Sequence, residues 1–130
     1  MRPPLNRPTD VELSILRVLW TLGPATVRQV HDMICEDRAS SLAYTAVLKM
    51  MQTMVDKGLL ERDERDRSHV YRPAQAREHT LGHLLDDLLD RAFGGSATDL
   101  FATALASQKL KPKDREEVAR LLAQAKERRS

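Results

Sequence analysis

Thr45, Lys49 and Gln52 recur at three- and four-residue intervals, with Asp56 continuing the row. On a helix advancing about 100° per residue, that spacing brings all four side chains to one face. A hydroxyl, an ammonium and a carboxamide aligned in this way offer donors and acceptors to base edges in a DNA major groove, where each base pair shows a different pattern. Tyr44 and Thr53 flank the row, and Ser41 stands just before it. On the opposite side Ala43, Val47, Met50, Met51 and Met54 form an apolar face, so Ala43 to Val55 reads as an amphipathic helix. Gly58 ends it as a left-handed cap would. Leu59 to Asp63 and Ser68 to Arg72 then alternate as two strands around a charged tip, Glu64 to Arg67. Arg65 and Arg67 at that tip would meet phosphates, as would Thr26 with Arg28 at the start of an earlier helix. A polar-faced helix leading into an arginine-tipped hairpin predicts a winged helix-turn-helix that binds double-stranded DNA.

Other chemistry is thinly represented. His79 and His83 lie four residues apart, with Asp87 one turn further, a spacing that suits zinc. HTLGH lacks the glutamate of a metalloprotease motif, however, and two ligands make a poor site. Surface or interface histidines are the plainer expectation, with a metal-responsive regulator as the alternative. Cys35, the single cysteine, excludes an internal disulfide and is expected on the inward side of its helix near Ile34. No nucleophile–base pair, phosphate loop or paired carboxylates stand out. The expectation is no enzyme, no cofactor and no metal.

These residues need elements to hold them. Thr9 with Glu12, and Thr26 with Gln29, repeat the capping-box spacing and open a first and a second helix. Leu13, Leu16, Leu19 and Trp20 give the first an apolar stripe, and Gly23-Pro24 stops it. Val27, Val30 and Ile34 face the second inward. Ser40 or Ser41 is the expected cap of the third. Between Gly23 and Thr26 there is room for one short strand beside the hairpin. His69 and Tyr71 are expected to brace that hairpin. Residues 1–8 read as a disordered arm and 9–72 as the winged-helix domain, with Pro73 breaking the second hairpin strand.

Residues 73–130 read as a helical dimerisation region. Leu81, Leu84, Leu85, Leu88, Leu89 and Ala92 form a wide stripe on a fourth helix that ends at Gly94-Gly95. Ser96 with Asp99 would cap a fifth helix carrying Leu100, Phe101, Ala104 and Leu105. Pro112 suits the first turn of a sixth, with Val118, Leu121 and Leu122, and a frayed tail from Lys126. Three short helices cannot cover so many leucines by themselves. A second copy of the chain is the expected cover, through Leu81, Leu84, Leu85, Leu88, Leu89, Phe93, Leu100, Phe101, Leu121 and Leu122. The expected fold class is therefore mainly α with a small antiparallel sheet.

Composition sets bounds without deciding function. The chain has 130 residues, 42% of them hydrophobic but only 4% aromatic, so packing rests on aliphatic residues and methionine. The net charge of +2 is spread over both halves rather than concentrated, and many DNA-binding domains are more basic. No apolar run approaches the roughly 20 residues of a membrane-spanning helix, and the start lacks the apolar core of a secretory signal. A cytoplasmic protein without membrane insertion is expected.

The stretch around the third helix resembles the BlaI/MecI/CopY family of bacterial repressors. Ala43, Tyr44, Thr45, Val47, Gln52, Lys57, Gly58, Leu59, His69 and Tyr71 carry the resemblance, with the AFGG segment from Ala92 to Gly95 further on. It extends from Leu13 to Leu122. It implies a homodimeric repressor on a palindromic operator, with intertwined C-terminal helices and a membrane sensor peptidase as a further partner. Relatives of this kind are often inactivated by a cut in the dimerisation region. Counting from Gly94-Gly95 places the equivalent position at Thr103-Ala104, so a cut between Leu100 and Ser107 is expected. Ala46 and Thr53 depart from the threonine and arginine usual in the family. The paired C-terminal cysteines of copper-responsive relatives are absent. A helical protein-interaction module is the alternative from a different class.

Overall fold

The computed structural model describes residues 7–37 and 42–129. Among them lie six helices and one hairpin, in the order α1 (Asp10–Leu22), α2 (Val27–Asp37), α3 (Tyr44–Asp56), β1 (Leu60–Asp63), β2 (Val70–Pro73), α4 (Arg77–Phe93), α5 (Ala97–Ala106) and α6 (Pro112–Arg129). The chain divides into two compact units, residues 1–84 and 85–130, the division falling within α4.

Both N-terminal capping boxes form. The Thr9 backbone N–H donates to the Glu12 carboxylate at 2.9 Å, and the Glu12 N–H returns a bond to the Thr9 hydroxyl oxygen at 3.3 Å. Thr26 and Gln29 make the same exchange at 2.8 and 3.2 Å. Each box satisfies donors that the first helical turn would otherwise leave unpaired. Gly58 adopts φ +83°, a conformation that costs glycine little. With it, the Leu59 N–H reaches the Met54 carbonyl at 2.8 Å and the Gly58 N–H reaches Val55 at 3.1 Å. This Schellman closure turns the chain from α3 directly into β1.

β1 and β2 pair antiparallel with Leu60 opposite Pro73 and Asp63 opposite Val70. Ala25 supplies the third strand position, exchanging backbone bonds with Tyr71 at 2.8 and 3.0 Å. Tyr71, 1% exposed, is thereby fixed in the centre of the core. Around it are buried Ile15, Leu16 and Leu19 from α1, Val30 and Ile34 from α2, and Val47, Met51 and Met54 from α3. Three helices closed by a hairpin and an added strand form a winged helix-turn-helix.

Several local expectations are corrected. Pro73 does not break the strand but is the last residue of β2, and the Ala74 N–H continues the pairing to the Leu59 carbonyl at 2.9 Å. A proline at a strand's end removes one donor and leaves the ladder otherwise intact. Ala43 is exposed and occupies the N-cap of α3 with no side-chain cap, so it does not share the buried face; the expected caps Ser40 and Ser41 lie outside the described residues. Cys35 is only half-buried, with its Sγ 3.5 Å from His31 Nε2 and 3.8 Å from the Leu42 carbonyl. α6 continues to Arg129.

In the second unit, Ser96 caps α5 by accepting from the Asp99 N–H at 3.1 Å, and Pro112 opens α6. Among the described residues beyond Tyr71 none is fully buried.

Candidate nucleic-acid interface

Helix α3 faces two ways. Val47, Met51 and Met54 are buried beneath it, while Thr45, Lys49, Gln52, Thr53 and Asp56 are exposed. Lys49 is exposed, and no described carboxylate pairs with it. Leu48 is half-buried and packs on the core margin.

Tyr44, in the first turn of α3, is held rather than free. The Arg28 guanidinium lies 4.7 Å from its ring centroid, and the His31 ring meets it edge-on at 5.7 Å and 74°. His31 Nε2–H donates to the Leu42 carbonyl at 2.7 Å. Helix α2 thus grips the start of α3 through an arginine–tyrosine stack and a histidine hydrogen bond. The Thr26 hydroxyl serves the α2 cap, leaving Arg28, exposed, as the cation of that surface. Ser41 lies outside the described residues.

The far end of α3 is fixed by a contact that sequence reading missed. Lys57 Nζ reaches both Glu12 carboxylate oxygens, at 2.8 and 3.0 Å, and Glu12 is only 4% exposed. Burial acts to raise the Glu12 pKa. The Lys57 ammonium and the Thr9 backbone N–H outweigh it, and the carboxyl sits below its ordinary value. The pair spans 45 residues of sequence, so no local spacing signals it. The only hint is Glu12 itself, an acid on a helix whose neighbours are apolar.

The hairpin tip separates two arginines that look alike in sequence. Arg65 is chelated by Asp63, with Nε 3.0 Å from both carboxylate oxygens and a terminal nitrogen at 2.6 Å. Those bonds, with one from the Arg65 backbone N–H, lower the Asp63 pKa to about 2. Arg62 pairs with Glu64 and Arg72 with Glu61, both at 3.0 Å. Arg67 is exposed and has no ion pair among the described residues. The alternation of acids and bases across the register, Glu61 opposite Arg72, was the available signal for this self-pairing.

Elsewhere, the His79 and His83 rings stand 4.4 Å apart, and no group of three metal-ligating side chains forms among the described residues. The leucines and phenylalanines expected at a dimer seam lie on the surface. Leu81, Leu84, Leu89, Phe93 and Leu100 are half-buried, and Leu85, Leu88, Phe101, Leu121 and Leu122 are exposed. No described helix is long and apolar enough to cross a membrane.

Residues 8–124 match the family described as penicillinase repressor. The transcriptional regulators BlaI of two Mycobacterium tuberculosis strains are each 36% identical over 89 residues, covering 68% of this chain. The chain spans 63% of the length of those curated relatives. Among solved structures, the monomeric form of Bacillus licheniformis BlaI in complex with the blaP half-operator aligns with a TM-score of 0.47 and 21% identity, over 55% of this chain and 84% of that one.

Proposed function

We propose that this chain, which belongs to the penicillinase repressor family, represses transcription by binding an inverted-repeat operator as a homodimer. The observation that carries the reading is the exposed row Thr45, Lys49, Gln52 on α3, opposite a buried face and followed at once by the hairpin. Lys49 and Gln52 would read base edges, with Thr45 and Thr53 beside them. Arg28 and Arg67 would hold phosphates and set the register of the helix on the duplex. Thr26 would lie where the DNA backbone passes the start of α2, and Ser41 would add a further contact. Repression is steric, by occupancy of promoter DNA, and would take place where the chromosome is, in the cytoplasm.

Two copies would be joined through the exposed leucines of α4 and α6 and Phe101 of α5. An inverted repeat then matches the twofold symmetry of the protein. Release would follow cleavage in α5 by a membrane sensor peptidase; its side chains, apart from half-buried Leu100, are exposed. Mass spectrometry on the protein from induced cells tests this step. An intact chain with a vacated operator would exclude it.

The direct test of the DNA reading is a binding series at two salt concentrations. Lys49→Ala or Thr45→Ala should weaken operator binding by about 1–3 kcal/mol and flatten sequence preference. Arg67→Ala should weaken operator and random DNA alike and reduce the salt slope by about one. Unchanged operator affinity in Lys49→Ala would remove α3 from the interface.

A further inference from the structure

The N-terminal unit contains a groove of about 760 Å3 lined by residues of α1, α2 and α4, with none from α3 or the hairpin. Its size lies within the range of small-molecule sites. Leu13 and Val18 of α1, Met33 of α2 and Leu81 of α4 make its apolar lining. Three donors stand among them: the guanidinium groups of Arg17 and Arg77, and the indole of Trp20. No carboxylate lines it. The hydroxyls of Ser14 and Thr21 donate to their own helix, to the Asp10 and Arg17 carbonyls at 3.1 and 3.0 Å. Their protons are therefore spent.

The remaining donors are under-used. Arg17 has no ion pair among the described residues, and it is exposed. Arg77 lies 5.9 Å from the Trp20 ring centroid, and its carboxylate neighbour, Glu78 at 3.6 Å, is itself largely solvated. Trp20 Nε1 is buried and has no acceptor among the described residues, a state that costs free energy until an acceptor arrives. An apolar trough with two guanidiniums, an unsatisfied indole N–H and no acid complements one kind of molecule. It needs an apolar body and an anionic, acceptor-only head.

The geometry points to a binding site for an organic carboxylate in the groove between α1, α2 and the first turns of α4, with Arg17, Arg77 and the Trp20 N–H on the carboxylate and the aliphatic lining against the apolar body. The site involves none of the residues assigned to DNA, and it stands or falls apart from that reading. Its position gives it a second property. Arg77 and Leu81 belong to the start of α4, so a ligand bridging them to Arg17 and Leu13 ties that helix to α1.

Trp20 is the single tryptophan of the chain, so its emission reports on the groove directly, in the full-length protein and without DNA. Octanoate is the probe, with octan-1-ol and octylammonium as neutral and cationic controls of equal length. Octanoate should change the emission saturably, and the two controls should bind at least about tenfold more weakly. Arg17→Gln combined with Arg77→Gln should weaken octanoate by about tenfold or more with an unchanged far-ultraviolet dichroism spectrum. Both arginines are exposed, so the variant should fold. Ser14→Glu, which places a carboxylate in the groove, is the second variant and should abolish the response. Equal responses to octanoate and octanol, a non-saturable response, or full binding by the double arginine variant would each overturn the site.

Discussion

Helices α1 and α4 place leucines at the same three- and four-residue spacing, yet they end in opposite states. Leu16 and Leu19 are 2% and 1% exposed, whereas Leu85 and Leu88 are 48% and 49% exposed. In the first unit, α2, α3 and Tyr71 cover the stripe of α1. In the second, Phe101, Leu121 and Leu122 are themselves more than half exposed, so the helices offer apolar surface and do not consume it. Periodicity defines a face, and only the other elements present decide whether that face is covered. Charges follow the same division. The N-terminal unit closes Glu12 on Lys57 and Arg65 on Asp63, so its core and several of its charges are satisfied internally. Lys49, Gln52 and Arg67 remain exposed.

The contrast is most strongly tested at Leu88. Leu88→Asp puts an unpaired carboxylate on the open stripe, where a dimer would bury it at high cost. The dimer dissociation constant should rise about a thousandfold, or ~4 kcal/mol, and operator affinity should fall with it, as each protomer must find its half-site alone. Sedimentation equilibrium reads the first and a binding titration the second. A folded monomer already present for the unmodified protein at micromolar concentration would end the account of the second unit.

Leu16→Ala makes the matching test in the covered region. It should cost about 3 kcal/mol by lost burial and a residual cavity, seen in denaturant melts at any protein concentration. Leu122→Ala should destabilise only in proportion to the dimer present, so its effect should vanish on dilution. Equal, concentration-independent losses in the two variants would erase the distinction between the units.

A smaller effect is expected at the ionic closure. Lys57→Met leaves the Glu12 carboxylate buried and alone, and should cost about 2 kcal/mol, with Glu12→Gln milder because no charge is stranded. The pH dependence follows in sign. The folded-state pKa of Glu12 lies below its ordinary 4.5, so its contribution is complete above that value and is lost as pH falls through the lowered one. Lys57→Met should therefore flatten the acid limb of the stability profile below about pH 4.5.

The smallest change concerns the hairpin tip. Asp63→Asn frees Arg65, and affinity for operator and random DNA should rise together by about two- to fivefold, with a salt slope steeper by about one. An unaltered slope would mean that the tip does not approach the phosphates.

Much of this was legible beforehand, and the reasons are local. Thr9 with Glu12 and Thr26 with Gln29 announce their helices because a capping box is a contact within four residues. Gly58 announces the end of α3 because few other residues accept its φ. The alternation around residues 59–72 gives a hairpin, and the structure shifts its strands to Leu60–Asp63 and Val70–Pro73, leaving Ser68 and His69 in the connection. At the candidate interface the exposed row on α3 was readable from the helical period. The unequal states of Arg65 and Arg67 were not, because both stand among acids in sequence and only the folded path of the tip turns Arg65 back onto Asp63, two residues away.

Sequence by itself determined where α1, α2 and α5 begin and where α1 and α3 stop, which faces are apolar, and that a polar face precedes a charged hairpin. These follow from backbone preferences and periodicities that act over one or two turns. Only the tertiary structure decided which contacts close over distance: Lys57 on Glu12, Arg28 on Tyr44, the register of Ala25 against Tyr71, and Arg77 beside Trp20 at one groove. Such contacts join residues far apart along the chain, and no local pattern encodes the path that brings them together.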